Sequence, residues 1–287
     1  MTSTPTLEQL REWIGRSETR TETLAPEPVH ALAATFNLDG AQIAAEPLPP
    51  LWHWLYFLPR APQHTLGEDG HPALGGFLPP VPLPRRMWAG SELTFHRGLR
   101  VGDAVTRTST IRDVQHKAGR TGELWFVTVD HVYTVNGDTA LTERHDIVYR
   151  AMPEKGQPQP PRPRLAHAVQ FGRALRADPV LLFRFSALTF NGHRIHYDLD
   201  YVRDVEGYPG LIVHGPLQAM LTLELLRHER PDARVKRFGF RGLAPLFHQD
   251  TVIVGGMDDP EIAGKVLLWT GDDAGGQAMS AWAEVEA

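Results

Sequence analysis

The chain has no cysteine among its 287 residues. That excludes disulfides, thiolate-held zinc and a cysteine nucleophile. Basic residues (29 Lys and Arg) are outnumbered by acidic ones (34 Asp and Glu), and the net charge of -5 leaves no basic footprint for nucleic acid. No apolar run approaches the ~20 residues that span a bilayer, so no membrane partner is expected. Met1 to Thr6 lacks a basic patch followed by an apolar stretch. No secretory signal is expected, and the chain reads as a cytosolic protein. What it does have is a 42% hydrophobic content, enough for a substantial core.

Proline is abundant and unevenly placed. Residues 153–164 hold five prolines in twelve positions and no large apolar side chain. Such a stretch reads as a semi-rigid exposed linker. It divides the chain into an N-terminal domain, residues 1–152, and a C-terminal domain, residues 165–287. The two look duplicated. Ala31–Asn37 lines up with Phe185–Asn191, with Ala, Thr, Phe and Asn matching at four of seven positions. Arg97-Gly98-Leu99 has its echo in Arg241-Gly242-Leu243.

Element order agrees between the halves. Pro216 to His228 is apolar on nearly every face, which predicts a buried helix with Pro in its first turn. Its expected counterpart is Leu51–Leu58, preceded by Pro49-Pro50. Strand patterns follow at Leu93–Phe95, Ala104–Arg112, Leu124–Val135 and Thr139–Tyr149. In the second half they follow at Val235–Phe240, Asp250–Gly256, Lys265–Thr270 and Gln277–Glu286. The fold class is therefore α+β, with a long helix wrapped by an antiparallel sheet, twice over.

The residues that carry chemistry lie in Phe190-Asn191-Gly192-His193-Arg194-Ile195-His196-Tyr197-Asp198 and in Gly207-Tyr208-Pro209-Gly210-Leu211-Ile212-Val213-His214-Gly215-Pro216. The cluster feeds the start of the apolar helix. A histidine titrates near neutrality and serves as acid or base. A helix N-terminus has unpaired N–H groups suited to a developing oxyanion. His193, His196 and Asp198 could also suggest a metal, but the spacing is loose and structural zinc usually needs a fourth strong ligand. No metal and no cofactor are expected.

These motifs resemble the MaoC-like, type-2 hydroxyacyl-thioester dehydratases of the hot-dog fold, in their double-hot-dog form with a degenerate first half. The nearest group is the one that includes hydratases of mesaconyl-C4-CoA (3-methylfumaryl-CoA). The resemblance implies that the catalytic histidine is His196. The position five before it, usually Asp, is Asn191, and the motif's Asn and Pro fall on His193 and Arg194. The glycine whose N–H polarises the thioester carbonyl is Gly215. The implied activity is addition or removal of water across an enoyl thioester, on CoA or acyl carrier protein. An amide cannot exchange protons as a carboxylate does, so Asn191 is expected to orient water while His196 does the acid–base work. Asp198 is close in sequence and could supply a carboxylate.

His193, Arg194, Tyr197 and His214 are the expected substrate-binding residues. Arg194 stands where the family has an uncharged residue, and its planar fork suits a carboxylate. A C4–C5 dicarboxylic substrate such as methylfumaryl-CoA follows, leading to citramalyl-CoA. Two other readings share the fold. One is a non-catalytic acyl-thioester binding protein, favoured by Asn191. The other is a thioesterase, which needs a carboxylate near the helix start, where Glu224 is the helix's only acid and lies more than two turns away. The first half has no histidine directly after Asn37 and is expected to do no chemistry. It would widen the channel for the acyl-pantetheine arm, in a homodimer or a pseudo-dimeric monomer.

Overall fold

The computed structural model describes residues 4–119, 122–152, 159–166 and 168–286. A short helix α1 (Leu7–Arg11) opens it. Then come β1 (Ser17–Thr23), α2 (Pro26–Phe36), α3 (Gly40–Ala45) and two 3-10 turns at Trp52–Leu55 and Gln63–Thr65. The ladder β2 (Arg85–Phe95), β3 (Ala104–Gly119), β4 (Gly122–Val135) and β5 (Asp138–Arg150) completes the first half. The second half repeats the order: β6 (Phe171–Arg176), α4 (Pro179–Leu188), a 3-10 turn at Arg194–His196, α5 (Leu199–Asp204) and α6 (Gly215–Glu229). Its ladder is β7 (Arg234–Gly242), β8 (Thr251–Asp258), β9 (Lys265–Asp272) and β10 (Gln277–Glu286).

All ten strands form one antiparallel sheet, ordered β1-β3-β4-β5-β2-β7-β10-β9-β8-β6. Read outward from the β2–β7 seam, the two halves have the same strand order. The expected edge-to-edge joint is there, from Gly90 opposite Arg241 to Thr94 opposite Arg237. A Cβ on Gly90 would sit 2.4 Å from the Phe240 carbonyl oxygen, so the seam closes only over a glycine. The repeat also shows in a shared detail. Thr35 donates to the Ala31 carbonyl and Thr189 to the Phe185 carbonyl, each at 2.8 Å and four residues back.

Two expectations fail for physical reasons. Leu51–Leu58 is not a long helix. Leu51 (φ 73°) and Phe57 (φ 56°) are left-handed, and Pro49, Pro50 and Pro59 flank them, so the apolar run collapses to one 3-10 turn. Strands β1 and β6 had no signal because they are the two outer edges of the sheet. Ser17–Thr23 is wholly polar, which is how edges avoid further pairing. Residues 153–158 lie outside the described residues, but beyond them Arg162 pairs with Asp250 and Asp272 and donates to the Pro245 carbonyl at 2.8 Å.

Helix α6 holds the core. Leu217, Ala219, Met220, Leu223, Leu225 and Leu226 are buried against the sheet. Each large side chain contributes roughly 1.5–3 kcal/mol by leaving water. Gln218 anchors the helix by donating to the Val213 carbonyl (3.1 Å) and accepting from Thr270 Oγ1 (2.6 Å).

Candidate active site

The local chain between α4 and α6 builds the site. Asp178 caps α4 by accepting from Leu181 N–H. The helix ends, and Phe190 turns left-handed (φ 48°). Asn191 then donates its N–H to the Ser186 carbonyl (2.8 Å), and its Oδ1 accepts the N–H of His193 (3.0 Å). This Asx turn throws the chain into the 3-10 turn that buries His196.

Three histidine rings stand in line. His196 and His214 stack at 3.6 Å, and His193 meets His196 edge-on at 5.5 Å. His196 Nδ1 lies 2.7 Å from the Ile212 carbonyl. A carbonyl only accepts, so Nδ1 carries the hydrogen and Nε2 is bare, ready to take a proton. Burial pushes His196 down to about 4 against the pull of that carbonyl, with His71 adding to the fall. Burial, then His71 and His196, push His193 to about 2. His214 is well below its ordinary value through burial and its two neighbours. All three are neutral at pH 7.

The start of α6 is left open. Asp39, Asp178 and Asp198 cap α3, α4 and α5, whereas His214 at the N-cap of α6 makes no side-chain cap. Gly215 and Pro216 face a cavity of about 1320 Å³. A Cβ built on Gly215 meets nothing within 4 Å. The first-turn N–H groups, absent at Pro216, thus point their partial positive charge into open space.

The first half contributes to this site, which sequence reasoning missed. A tight loop around Gly70 (φ +88°) presses on the second half. A Cβ there would lie 1.9 Å from the Gly192 oxygen, and the Asp69 carbonyl accepts Arg194 N–H at 2.9 Å. The loop sets His71 against His193, ring centres 4.1 Å apart. Asp69 Oδ2 accepts from His71 Nδ1 (2.7 Å) and Oδ1 from His71 N–H (3.0 Å). Burial would raise the Asp69 carboxyl, but these donors hold it below its usual range. His71 itself is pushed down by burial against the pull of Asp69, with Arg86 adding to the fall. The only trace in the sequence was an acid two residues before a histidine within Gly67-Glu68-Asp69-Gly70-His71.

Asn191, His193, His196, Tyr197 and Gly215 all line the cavity, together with Asp69 and His71. Tyr197 donates to the Gly192 carbonyl at 3.0 Å. His214 is fully buried behind His196, hydrogen-bonded to Ser186 Oγ at 2.8 Å, so it backs the site rather than binding substrate. The substrate-binding role expected for Arg194 is corrected by its partners. Its guanidinium holds Asp198 (2.8 and 3.0 Å), donates to the Glu68 carbonyl (3.1 Å) and stacks on Tyr201, away from the cavity lining. Asp198 caps α5 and cannot serve as the missing carboxylate. Glu224, the acid a thioesterase would need, is engaged by Trp52 Nε1 and Arg227. Trp52 is core, whereas Trp54, Tyr56 and Phe57 line the cavity. Asp69, His71 and His193 bring one ligand atom each within 4.8 Å of one another, a group that could hold a cation.

A cavity in a fold whose strand order is doubled, with a neutral histidine beside the open start of its long helix, defines a class of proteins acting on acyl thioesters. The model of the type-2 hydroxyacyl-thioester dehydratases matches residues 51–248. The chain is 51% identical over 241 residues to a mesaconyl-C(4)-CoA hydratase of Chloroflexus aurantiacus, covering 82% of this chain and 84% of that one. A MaoC-like dehydratase structure superposes with a TM-score of 0.72 at 16% identity over 96% of this chain and 99% of its own. A Mycobacterium tuberculosis protein described as a double hot-dog fold superposes with a TM-score of 0.57 at 15% identity, over 98% of each chain. The chain belongs to the type-2 hydroxyacyl-thioester dehydratase family and has its double-hot-dog fold.

Proposed function

We propose that this chain adds water to the double bond of mesaconyl-C4-CoA, giving citramalyl-CoA. Hydration or dehydration of an acyl thioester is the chemistry of its family, and the mesaconyl substrate comes from the relative with 51% identity. The observation that carries the reading is the bare Nε2 of His196, beside the uncapped N-terminus of α6 in one cavity.

The thioester carbonyl sits at the Gly215 N–H. His196 Nε2 takes a proton from water, whose oxygen bonds to C3 (counting the thioester carbonyl as C1). The C2=C3 π pair moves toward the carbonyl oxygen, and the N–H group holds the enolate. The His196 imidazolium then returns its proton to C2, so the histidine ends as it began. Asn191, with Oδ1 set by the His193 N–H, orients the water. Loss of the enoyl-thioester absorbance on adding enzyme to mesaconyl-C4-CoA, with no release of free thiol, tests the reading. Thiol release instead would mark a thioesterase, and binding without turnover a carrier protein.

A further inference from the structure

If the substrate is a dicarboxylic thioester, something must receive its second carboxylate. Arg194 does not. Six arginines line the cavity: Arg20, Arg60, Arg85, Arg86, Arg107 and Arg150. Four of them are paired. Arg20 and Arg107 hold Glu18, Arg60 holds Glu22, and Arg85 holds Glu206 at 2.9 Å. Among the described residues, no carboxylate lies within 4.0 Å of Arg86 or Arg150.

Their surroundings separate these two. Arg150 stands across the ladder from Arg85 and acts on Tyr208, beside the carboxylate of Glu206. Arg86 is half-buried and lines the same cavity as His71, His193 and His196, and its positive charge pushes the first two further down. It therefore sits with the histidine row, where the reacting carbons lie. Mesaconyl-C4-CoA carries its free carboxylate on C3, the carbon that takes the hydroxyl. The group that binds this carboxylate must be next to the histidines. A half-buried guanidinium whose cross-strand neighbour is the neutral hydroxyl of Tyr149, with no acid to neutralise it, is suited to that task, because its fork binds a carboxylate through two parallel hydrogen bonds.

We propose that Arg86 binds the substrate's free carboxylate and so selects dicarboxylic enoyl-CoAs over simple ones. This rests on the hydratase reading above. It also gives a reason for Asn191. A carboxylate there would face the substrate's own carboxylate across the reacting carbon, and an amide of the same shape removes that repulsion.

The test compares mesaconyl-C4-CoA with crotonyl-CoA, which has only a methyl group at C3. Arg86→Met should lower kcat/KM for mesaconyl-C4-CoA by at least about thirtyfold, as truncating one partner of a desolvated charge pair does. It should change crotonyl-CoA turnover by less than about threefold, the spread expected of a residue off the chemistry. Arg86→Lys should recover part of the loss. Equal losses on both substrates, or none on mesaconyl-C4-CoA, overturn the assignment. A folding-independent check uses the wild-type protein, where succinyl-CoA should inhibit far more tightly than butyryl-CoA, and equal inhibition overturns the carboxylate site. Wild-type turnover of crotonyl-CoA alone overturns the selection while leaving hydration standing. Turnover of neither removes the hydratase reading and this one with it.

Discussion

The halves share a strand order, yet each uses its buried polar groups differently. In the second half, His193, His196 and His214 line up beside the open start of α6 and stay neutral. In the first half, the place of α6 is taken by one 3-10 turn, and the buried polar groups gather around Glu143. Its carboxylate accepts from His53 Nε2 (3.1 Å), Trp54 Nε1 (2.9 Å), Tyr133 hydroxyl (3.4 Å) and His145 Nε2 (2.5 Å). Burial would raise it, but His145 and His53 hold it well below its ordinary value. A helix satisfies its own backbone and can leave its first N–H groups for a ligand. A lone turn must instead be tied down by side chains, and Glu143 does that. One half opens a row of neutral histidines onto the cavity, and the other gathers donors around a single buried carboxylate.

The largest way to break this contrast is at His196. His196→Ala should lose about 10²–10⁴-fold in kcat, the range for a positioned acid–base group. Near-wild-type turnover would remove the histidine row from the mechanism. Glu143 should respond in stability instead. Glu143→Ala leaves buried donors on His53, Trp54 and His145 unmet, and should lower the unfolding free energy by about 3–5 kcal/mol in a denaturant titration. Folded protein should keep kcat within a few-fold. A large kcat loss at full stability would mean the first half does chemistry after all.

Gly215 sharpens the same comparison from the helix side. Gly215→Val puts a side chain into the space where the thioester oxygen is placed, with no protein atom to clash against. It should raise the barrier by about 2.7–4 kcal/mol, as loss of one oxyanion donor does, while calorimetry shows the melting temperature held within a few degrees. Unchanged turnover would mean that the helix start is not the enolate site.

The sequence showed some of this plainly and hid the rest for identifiable reasons. α6 and the inner strands were legible because burial writes itself as periodicity. His196, Asn191 and Gly215 stood in one continuous motif leading into that helix. Arg194 misled because charge type does not tell direction, and its i,i+4 partner Asp198 captured the guanidinium. Asp69, His71 and Arg86 were invisible because they reach the site across the repeat, from a loop and a strand end with no periodic pattern. An apolar run predicts a helix at Leu51–Leu58, and the prolines around it prevent one. Eight residues of composition matter less than two left-handed backbones.

The smallest effect, a dependence on pH, separates the halves without any mutation at first. His196 falls from 6.5 to about 4 on folding. Between those values the unfolded chain takes up a proton that the folded one refuses, so stability falls as pH drops through this window. His193 and His214, also lowered, act in the same direction. Glu143 is lowered from 4.5, so its contribution is intact above that value and is lost only as pH falls further. In the first half the buried His131 on β4 is lowered too, so acid should loosen both halves, the second more because three lowered histidines stand there. Hydrogen exchange at pH 7, 6 and 5 should show the larger loss of protection in α6 and β7–β10 and a smaller one in β3–β5 around His131. His196→Gln should reduce that slope, and Glu143→Gln should leave it alone above pH 4.5. The acid limb of kcat/KM should fall near pH 4, well below the ordinary histidine range, because His196 is already neutral above it. A limb near 6.5 would mean that the ring is solvated in the working enzyme, and that its proton comes and goes through water in the cavity.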